Sequence, residues 1–247
     1  MKVRYIDINC DVGEGIGNEA ALLPLISSCN IACGGHAGDT KTMQEVVGLA
    51  KKYKVKVGAH PSYPDTQNFG RKSMDIPSAE LRNSIRTQLN SLLSVLEERE
   101  VNLHHIKPHG ALYNDAAKNE VIAQDILEAI TPHKKTCYIY APYGSVLAKK
   151  AEEMSYLVRY EAFGDRNYNA DLSLVSRNQK NAVIEDPKEV LQHLLPMVTK
   201  QYVTTIDAEE VKLKADTFCI HGDTPTALQI LTYLAQELAT HHIYIKK

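Results

Sequence analysis

Ionisable residues in this chain fall on alternate positions of short apolar runs. Residues 5–12 read YIDINCDV, so that Asp7, Asn9 and Asp11 share one face of a predicted strand and apolar residues take the other. Burying carboxylates in this way costs free energy unless they are paired or used in chemistry. The alternation therefore indicates a polar interior surface that carries an active site.

The same alternation recurs later in the chain, close to the ends of the predicted strands. HIKPH places Lys107 and His109 on one face, and TFCIHGD does the same for His221 and Asp223. Two further strand-like runs end on ionisable residues, namely His60 and Glu161. Imidazole, ammonium and carboxylate groups gathered at strand ends can supply a general base and stabilise developing charge, which favours hydrolytic chemistry.

Composition narrows the class of protein. The chain has 247 residues, of which 44% are hydrophobic and 23% charged, and we expect one domain spanning residues 1–247. The 28 basic and 30 acidic residues leave no strong net charge, so neither nucleic acid nor a membrane is expected as a partner. Five cysteines without a CxxC pair, and no run of about 18 apolar residues, predict a cytoplasmic protein.

Strand-like and helix-like segments alternate along the whole chain, which favours a parallel α/β sheet. Strands are predicted near residues 5–10, 29–33, 55–60, 104–108, 136–141, 157–163 and 217–221. Helices are predicted near 19–27, 40–53, 78–99, 115–131, 145–154, 187–201 and 225–241. Seven units suit a seven-stranded barrel, with an open doubly wound sheet as the alternative, and both place a site at the carboxyl ends of the strands.

Local sequence signals also predict where two helices begin and which segments form functional loops. Thr42 followed by Glu45 predicts a capping box, and Asp223 to Pro225 offers caps for the last helix. Residues 61–77 and 164–186 lack a clear period and are long enough to be loops over a site.

Several motifs, taken in order, closely resemble the LamB/YcsF family, which comprises the A subunits of 5-oxoprolinase. They are DINCDVGEG (7–15), NIACGGHAGDT (30–40), GAHPSYPD (58–65), FGR (69–71), KPHGALYN (107–114), EAFGDRNY (161–168) and HGD (221–223). The resemblance implies an irregular seven-stranded TIM-like barrel of the glycoside hydrolase and deacetylase type. It also implies ATP-dependent opening of 5-oxoproline to L-glutamate with two partner subunits.

Small departures from the family pattern concern the packing of the pocket. Gly35 stands where the family usually has an aromatic residue, Gly164 where it has Ala, and Lys72 where it has Arg.

Opening a lactam requires a base for the attacking water and donors for the developing oxyanion. Asp11 is the leading general base, although it could simply cap the Gly13–Gly15 turn. The predicted catalytic residues are Asp11, His36, His60, Lys107 and His109. The predicted substrate-binding residues are Asn9, Glu14, Asn30, Asp39, Arg71, Glu161, Arg166, His221 and Asp223.

Two of these residues have structural alternatives. Asp39 precedes a predicted helix and could serve as its cap. Arg166 could form a salt bridge with Asp165 or Glu161 instead of gripping the substrate. Cys10 and Cys33 alternate onto the apolar faces, so we interpret them as core residues.

Nucleotide binding is expected mainly in the partners. The GEGIG stretch is only a weak phosphate-binding signal, and the sequence GxxxxGK[ST] does not occur in the chain. We therefore expect the complex to consume ATP that the partner subunits bind.

Two other functions remain open. Asp11, His36, His60 and His109 are suitable metal ligands, which would fit a metal-dependent, deacetylase-like hydrolase. The HxxxH spacing of such deacetylases is missing, because Thr40 stands four residues after His36. No metal is therefore assigned. The chain could also be non-catalytic and bind a lactam or carbohydrate within the complex.

Overall fold

The computed structural model describes residues 3–247, so Met1 and Lys2 of the predicted domain lie outside the described residues. The strands are β1 (Arg4–Val12), β2 (Ser28–Ala32), β3 (Lys56–His60), β4 (Leu103–Ile106), β5 (Tyr138–Pro142), β6 (Leu157–Phe163), β7 (Tyr202–Thr204), β8 (Glu210–Lys212), β9 (Thr217–Cys219) and β10 (Ile243–Ile245). The helices are α1 (Glu19–Leu22), α2 (Thr40–Tyr53), α3 (Ser78–Glu98), α4 (Gly110–Ala116), α5 (Glu120–Ala129), α6 (Val146–Glu153), α7 (Pro187–Lys200) and α8 (Ala227–Thr240).

Seven parallel strands close into a barrel. β1 to β6 pair in sequence order, and β9 completes the ring by pairing with both β6 and β1. The closing register aligns Asp7 with Thr217 and Asn9 with Cys219. The predicted seven-stranded barrel is confirmed, and the open sheet is excluded because β9 joins β6 to β1, so that none of the seven strands is left at an edge.

Three short strands were not predicted from the sequence. β10 pairs with residues 4–6 of β1, on the same edge that β9 uses further along. β7 and β8 form a separate antiparallel hairpin. Each of these strands has three residues, which is too short for an alternating pattern to be recognised.

Some predicted helix boundaries were wrong. The helix predicted over 19–27 is the single turn of α1 followed by a 3₁₀ turn at Leu23–Leu25. The segment predicted as one helix over 115–131 belongs to two helices, α4 and α5, and α4 already begins at Gly110. Pro225 precedes α8, whose first residue is Ala227. Among the described residues, no helix combines the length and apolar character needed to cross a membrane.

The start of α2 corrects the predicted capping box. Asp39 is the N-cap residue, and its carboxylate accepts a hydrogen bond from the Thr42 backbone N–H at 2.7 Å. Thr42 was predicted to be the N-cap residue, but it is the third residue of α2.

The apolar core lies between the barrel and its helices. Ile8, Ile31 and Ile106 are fully buried on the outward faces of their strands. Cys10 belongs to this layer, and its thiol donates a hydrogen bond to the Ile220 carbonyl at 2.6 Å. Burial raises the pKa of Cys10 well above its usual value and that of Cys33 to about 12, so both thiols stay protonated.

Candidate active site

The inward face of the barrel is polar from end to end, and its amino-terminal end holds one compact ion pair. Asp7 accepts hydrogen bonds from Ser28 at 2.7 Å, from Thr217 at 2.8 Å and from the Lys56 ammonium at 3.0 Å. We call these four residues the lower cluster. Its carboxylate faces three donors, so its charge is balanced and its oxygens are satisfied.

A layer of amides connects this cluster to the other end. The Asn30 side chain donates to Asn9 and to Asp11, both at 2.7 Å, and Asn9 donates to Glu161 at 2.9 Å. His105 donates from Nε2 to Asn30 Oδ1 at 2.6 Å. Donors and acceptors alternate throughout this layer, which fixes the side chains below the strand ends.

The carboxyl ends of β1, β3 and β4 bring the strongest charges together with three imidazoles. We define the upper cluster as Asp11, Glu14, His36, His60, Lys107 and His109. The Lys107 ammonium, 2% exposed, lies 3.0 Å from Asp11 Oδ1 and 3.0 Å from Glu161 Oε1. All five predicted catalytic residues therefore meet in one place, together with Glu14 from the predicted binding set.

Backbone carbonyls determine which ring nitrogens carry hydrogen. His60 donates from Nδ1 to the Lys107 carbonyl at 2.8 Å, and His109 donates from Nε2 to the Phe69 carbonyl at 2.9 Å. The remaining nitrogens, His60 Nε2 and His109 Nδ1, lie 3.0 Å apart. Only one hydrogen can lie between two nitrogens at this separation, and the neutral His109 ring presents a lone pair from Nδ1.

Both carboxylates of the upper cluster approach this pair of nitrogens. Asp11 Oδ1 lies 3.4 Å from His60 Nε2, and Glu14 Oε1 lies 3.4 Å from His109 Nδ1. Glu14 also accepts from His36 Nε2 at 2.9 Å, and the His36 ring stacks on His109 with centroids 3.6 Å apart. Two groups of donor atoms here are compact enough to hold a cation, namely Asp11, His60 and His109, and Glu14, His36 and His109.

Electrostatics hold these groups in defined protonation states. Burial raises the pKa of Asp11, but His60 and Lys107 outweigh it and keep that pKa well below its usual range. Burial works against the Lys107 ammonium, yet Asp11, Cys219 and Glu161 raise the Lys107 pKa well above its usual value. Burial lowers the pKa of His109, and of His36 to a lesser degree, so both rings are neutral.

The loop at 61–77 covers the upper cluster, as its length predicted. Phe69 has a left-handed backbone with φ of 55°, which a side chain of this size rarely adopts, and its carbonyl accepts from His109. At Gly70 an added Cβ would lie 3.0 Å from the His109 ring, so only glycine lets the loop approach this closely.

An ion pair lies on the solvent side of Phe69, and we call this side the entrance to the upper cluster. The Arg71 guanidinium packs on the Phe69 ring at 4.9 Å and forms a short hydrogen bond to Asp223. Arg71 is 39% exposed and Asp223 is 16% exposed, whereas the residues below are closed off from solvent. Asp223 is thus at the mouth rather than inside the cluster. A cleft of about 550 Å³ lies on the flank instead and is lined by Tyr63, Asp115 and Asp125.

Three predicted binding residues have other contacts. Asp39 is exposed and caps α2, away from the cluster. The buried Arg166 side chain donates to the carbonyls of Val175 and Ala182, so it secures the 164–186 loop. His221 is held through Nδ1 by Asp165 at 2.9 Å.

Asp165 and Phe69 were missed by sequence reasoning. Asp165 is fully buried and orients His221. Burial raises the pKa of Asp165, but the contact with His221 outweighs burial and lowers that pKa. Asp165 continues the alternation of Glu161 and Phe163, so the sequence pattern could have indicated that its side chain points inward. Phe69 gave no such signal, because its contribution depends on a backbone conformation.

The departure at Gly35 has a packing explanation. A Cβ at this position would collide with Gln88 Oε1 and Ser62 Oγ, which occupy the space beside it. Gln88 in turn accepts from the Ser62 backbone at 2.9 Å and donates to the Ser62 carbonyl at 2.8 Å. An aromatic side chain at residue 35 is thus replaced here by hydrogen bonds from α3.

Comparison with known proteins places this site in a family. The model of the LamB/YcsF family matches residues 6–247. The chain belongs to the LamB/YcsF family. It is 43% identical over 243 residues to the A subunit of 5-oxoprolinase from Haemophilus influenzae strain PittEE, covering 98% of this chain and 99% of that protein.

Solved structures agree with this assignment. The lactam utilization protein of Thermus thermophilus is 33% identical and superposes with a TM-score of 0.91, covering 98% of this chain and 99% of that one. A GH18 chitinase from Pseudoalteromonas aurantia is 10% identical with a TM-score of 0.50, covering 93% and 99%, and shares the fold alone. The family and barrel type inferred from the motifs are confirmed.

Proposed function

We propose that this LamB/YcsF chain is the A subunit of an ATP-dependent 5-oxoprolinase, which opens the lactam of 5-oxoproline to L-glutamate with two partner subunits. The observation that carries the proposal is the upper cluster: buried carboxylates, an ammonium and three imidazoles gathered at the strand ends. The name of the Haemophilus influenzae relative supplies the substrate class.

Substrate entry is assigned to the Arg71–Asp223 pair. 5-Oxoproline carries a carboxylate, and a guanidinium fork is suited to binding one. We propose that this carboxylate replaces Asp223 on Arg71, which opens the space above Phe69. The lactam ring then faces His109 and Glu14.

Ring opening needs proton acceptors for water and positive charge near the carbonyl oxygen. His109 Nδ1 is an unprotonated acceptor, because the ring is neutral and Nε2 donates to the Phe69 carbonyl. The sequence favoured Asp11 as the base, but its lowered pKa makes it a weak one. Asp11 instead orients Lys107, whose ammonium is the nearest fixed positive charge.

Coupling to ATP is assigned to the partners. An unstrained amide resists hydrolysis, so activation of its carbonyl by phosphorylation would make water attack feasible. The chain lacks a Walker-type loop, and we propose that the partner subunits bind ATP. The loops 61–77 and 164–186 flank the entrance and are the proposed docking surface.

The test is reconstitution of the complex from separately purified subunits. Glutamate and ADP are measured for every combination, with an Asp11→Ala form of this chain as the control. We expect glutamate only when all three subunits are present, and a loss of at least about 10²-fold with Asp11→Ala.

Two outcomes would contradict the proposal. Robust ATP-coupled turnover by this chain alone would overturn the division of labour. Full activity of the partners without this chain would leave it a binding role only.

A further inference from the structure

Two imidazole nitrogens and one carboxylate oxygen of the upper cluster converge on one point. They are His60 Nε2, His109 Nδ1 and Asp11 Oδ1, and both ring N–H groups point away to the carbonyls of Lys107 and Phe69. Metal-binding histidines are commonly oriented in this way, with the second nitrogen donating to a carbonyl or carboxylate.

The spacing of these three atoms fits three corners of a tetrahedral shell. Metal–nitrogen bonds of about 2.05 Å give a tetrahedron with edges of about 3.3 Å. The two nitrogens are 3.0 Å apart, Asp11 Oδ1 lies 3.4 Å from His60 Nε2, and the donor atoms of Asp11, His60 and His109 form one compact group. The fourth corner would be left for water or substrate, as in catalytic sites.

Formal charge leads to the same conclusion. Asp11 and Glu14 of the upper cluster and the adjoining Glu161 are buried with a single ammonium, that of Lys107, so these three carboxylates exceed it by two formal negative charges. Arg71 and Asp223 balance each other at the entrance. A divalent cation would neutralise the remaining charge, whereas one proton shared by the two imidazoles would remove only half of it.

The geometry points to a binding site for one transition-metal dication, held by Asp11, His60 and His109, with the group of Glu14, His36 and His109 beside it. Imidazole and carboxylate donors suit Zn²⁺ or Co²⁺ better than Mg²⁺ or Ca²⁺, which prefer oxygen-only sites. A second compact group, Asp11, Cys219 and His221, is a weaker candidate. There the Lys107 ammonium lies 3.1 Å from the Cys219 sulfur and Asp165 already occupies His221.

Such an ion would act as a Lewis acid beside the entrance and lower the pKa of a bound water. The catalytic use of the ion rests on the proposed function. Binding of the ion does not, because it requires neither substrate nor partner subunits. The two proposals can therefore fail separately.

Two substitutions remove the ligand atoms while keeping the backbone hydrogen bonds. In His60→Asn the amide nitrogen takes the place of Nδ1 and can donate to Lys107, but Nε2 is lost. In His109→Gln the amide nitrogen takes the place of Nε2 and can donate to Phe69, but Nδ1 is lost. His104→Asn is the matched control, since His104 contacts His105 and lies outside the cluster.

The experiment uses the full chain, stripped of metal with a chelator and then titrated with Zn²⁺ or Co²⁺. Bound metal per chain, the visible spectrum of Co²⁺ and the metal-dependent rise in Tm are measured. We expect one ion per chain with a tetrahedral Co²⁺ spectrum in the wild type and in His104→Asn. Binding should weaken at least about 100-fold in His60→Asn and His109→Gln, with circular dichroism unchanged.

Failure of the wild type to bind either ion would overturn the site. Retention of one tightly bound ion by both ligand variants would do the same, because the ion would then lie elsewhere. If metal binding is lost as expected but glutamate formation persists, the site stands and the proposed hydrolytic use of it falls.

Discussion

The two ends of the barrel interior make opposite use of buried charge. In the lower cluster, Asp7 faces three donors, among them the Lys56 ammonium. In the upper cluster, the ring nitrogens of His60 and His109 face each other and two carboxylates. The lower cluster is balanced within itself, and the upper cluster is not.

The difference separates a structural role from a chemical one. A buried network in which every donor meets an acceptor rigidifies a fold, whereas unmatched polar atoms must be explained by chemistry or by a ligand. The two clusters share strands, because Asp7 and Asp11 lie on one face of β1, and Lys56 and His60 on one face of β3. Removing a charge should therefore affect activity at one end of the barrel and stability at the other.

The largest expected effect follows from Asp11→Asn. This change removes the charge that orients Lys107 but keeps the size of the side chain. We expect glutamate formation by the reconstituted complex to fall at least about 10²-fold, because the Lys107 ammonium no longer has a fixed position for stabilising developing charge. Turnover is measured at saturating ATP, with the urea midpoint as the check on folding. Wild-type turnover would refute a chemical role for the upper cluster.

The next largest effect is expected for Asp7→Asn at the other end. Lys56 loses its carboxylate, and its side chain is 26% exposed, so water offsets part of the loss. We expect the free energy of unfolding to fall by about 2–3 kcal/mol, below the cost of breaking a fully buried pair. Urea denaturation measures this change. Glutamate formation per folded subunit should stay the same, and a loss comparable to that of Asp11→Asn would erase the contrast between the clusters.

A smaller, pH-dependent effect is expected from His104, next to the lower cluster. A β-bulge between β3 and β4 makes His104 the extra residue, and it donates from Nδ1 to His105 at 3.0 Å. Burial lowers the pKa of His104 to about 4, with Arg159 and Lys56 adding to the shift. The folded protein therefore resists protonation that the unfolded chain accepts near pH 6.5.

The sign of this dependence follows from linkage. The contribution of neutral His104 to stability is complete above about pH 6.5 and is lost as the pH falls towards 4. The full shift corresponds to about 3 kcal/mol, and screening by solvent at this partly buried ring reduces the expected loss over that interval to about 2 kcal/mol in the wild type. His104→Asn keeps a donor for His105 but cannot titrate, so its denaturation midpoint should fall less on acidification. Equal acid sensitivity of both proteins would contradict the assignment.

Much of the fold could be predicted from the sequence, because alternation with a period of two defines the faces of a strand. The run YIDINCDV placed Asp7, Asn9 and Asp11 inward, and the βα alternation predicted seven parallel strands. The helix starts were less certain, and Asp39 turned out to cap α2. Capping and catalysis use the same residue types in the same sequence context, so pattern alone could not separate them.

The sequence by itself determined which residues face inward and that ionisable groups gather at the strand ends. Only the tertiary structure decided which of them meet. Lys107 reaches Asp11 and Glu161 because the barrel closes, and the ring nitrogens of His60 and His109 face each other because two distant carbonyls hold the opposite nitrogens. A local period specifies a direction from the backbone, whereas a partner across the barrel depends on strand order, register and loop conformation, which are long-range properties of the folded chain.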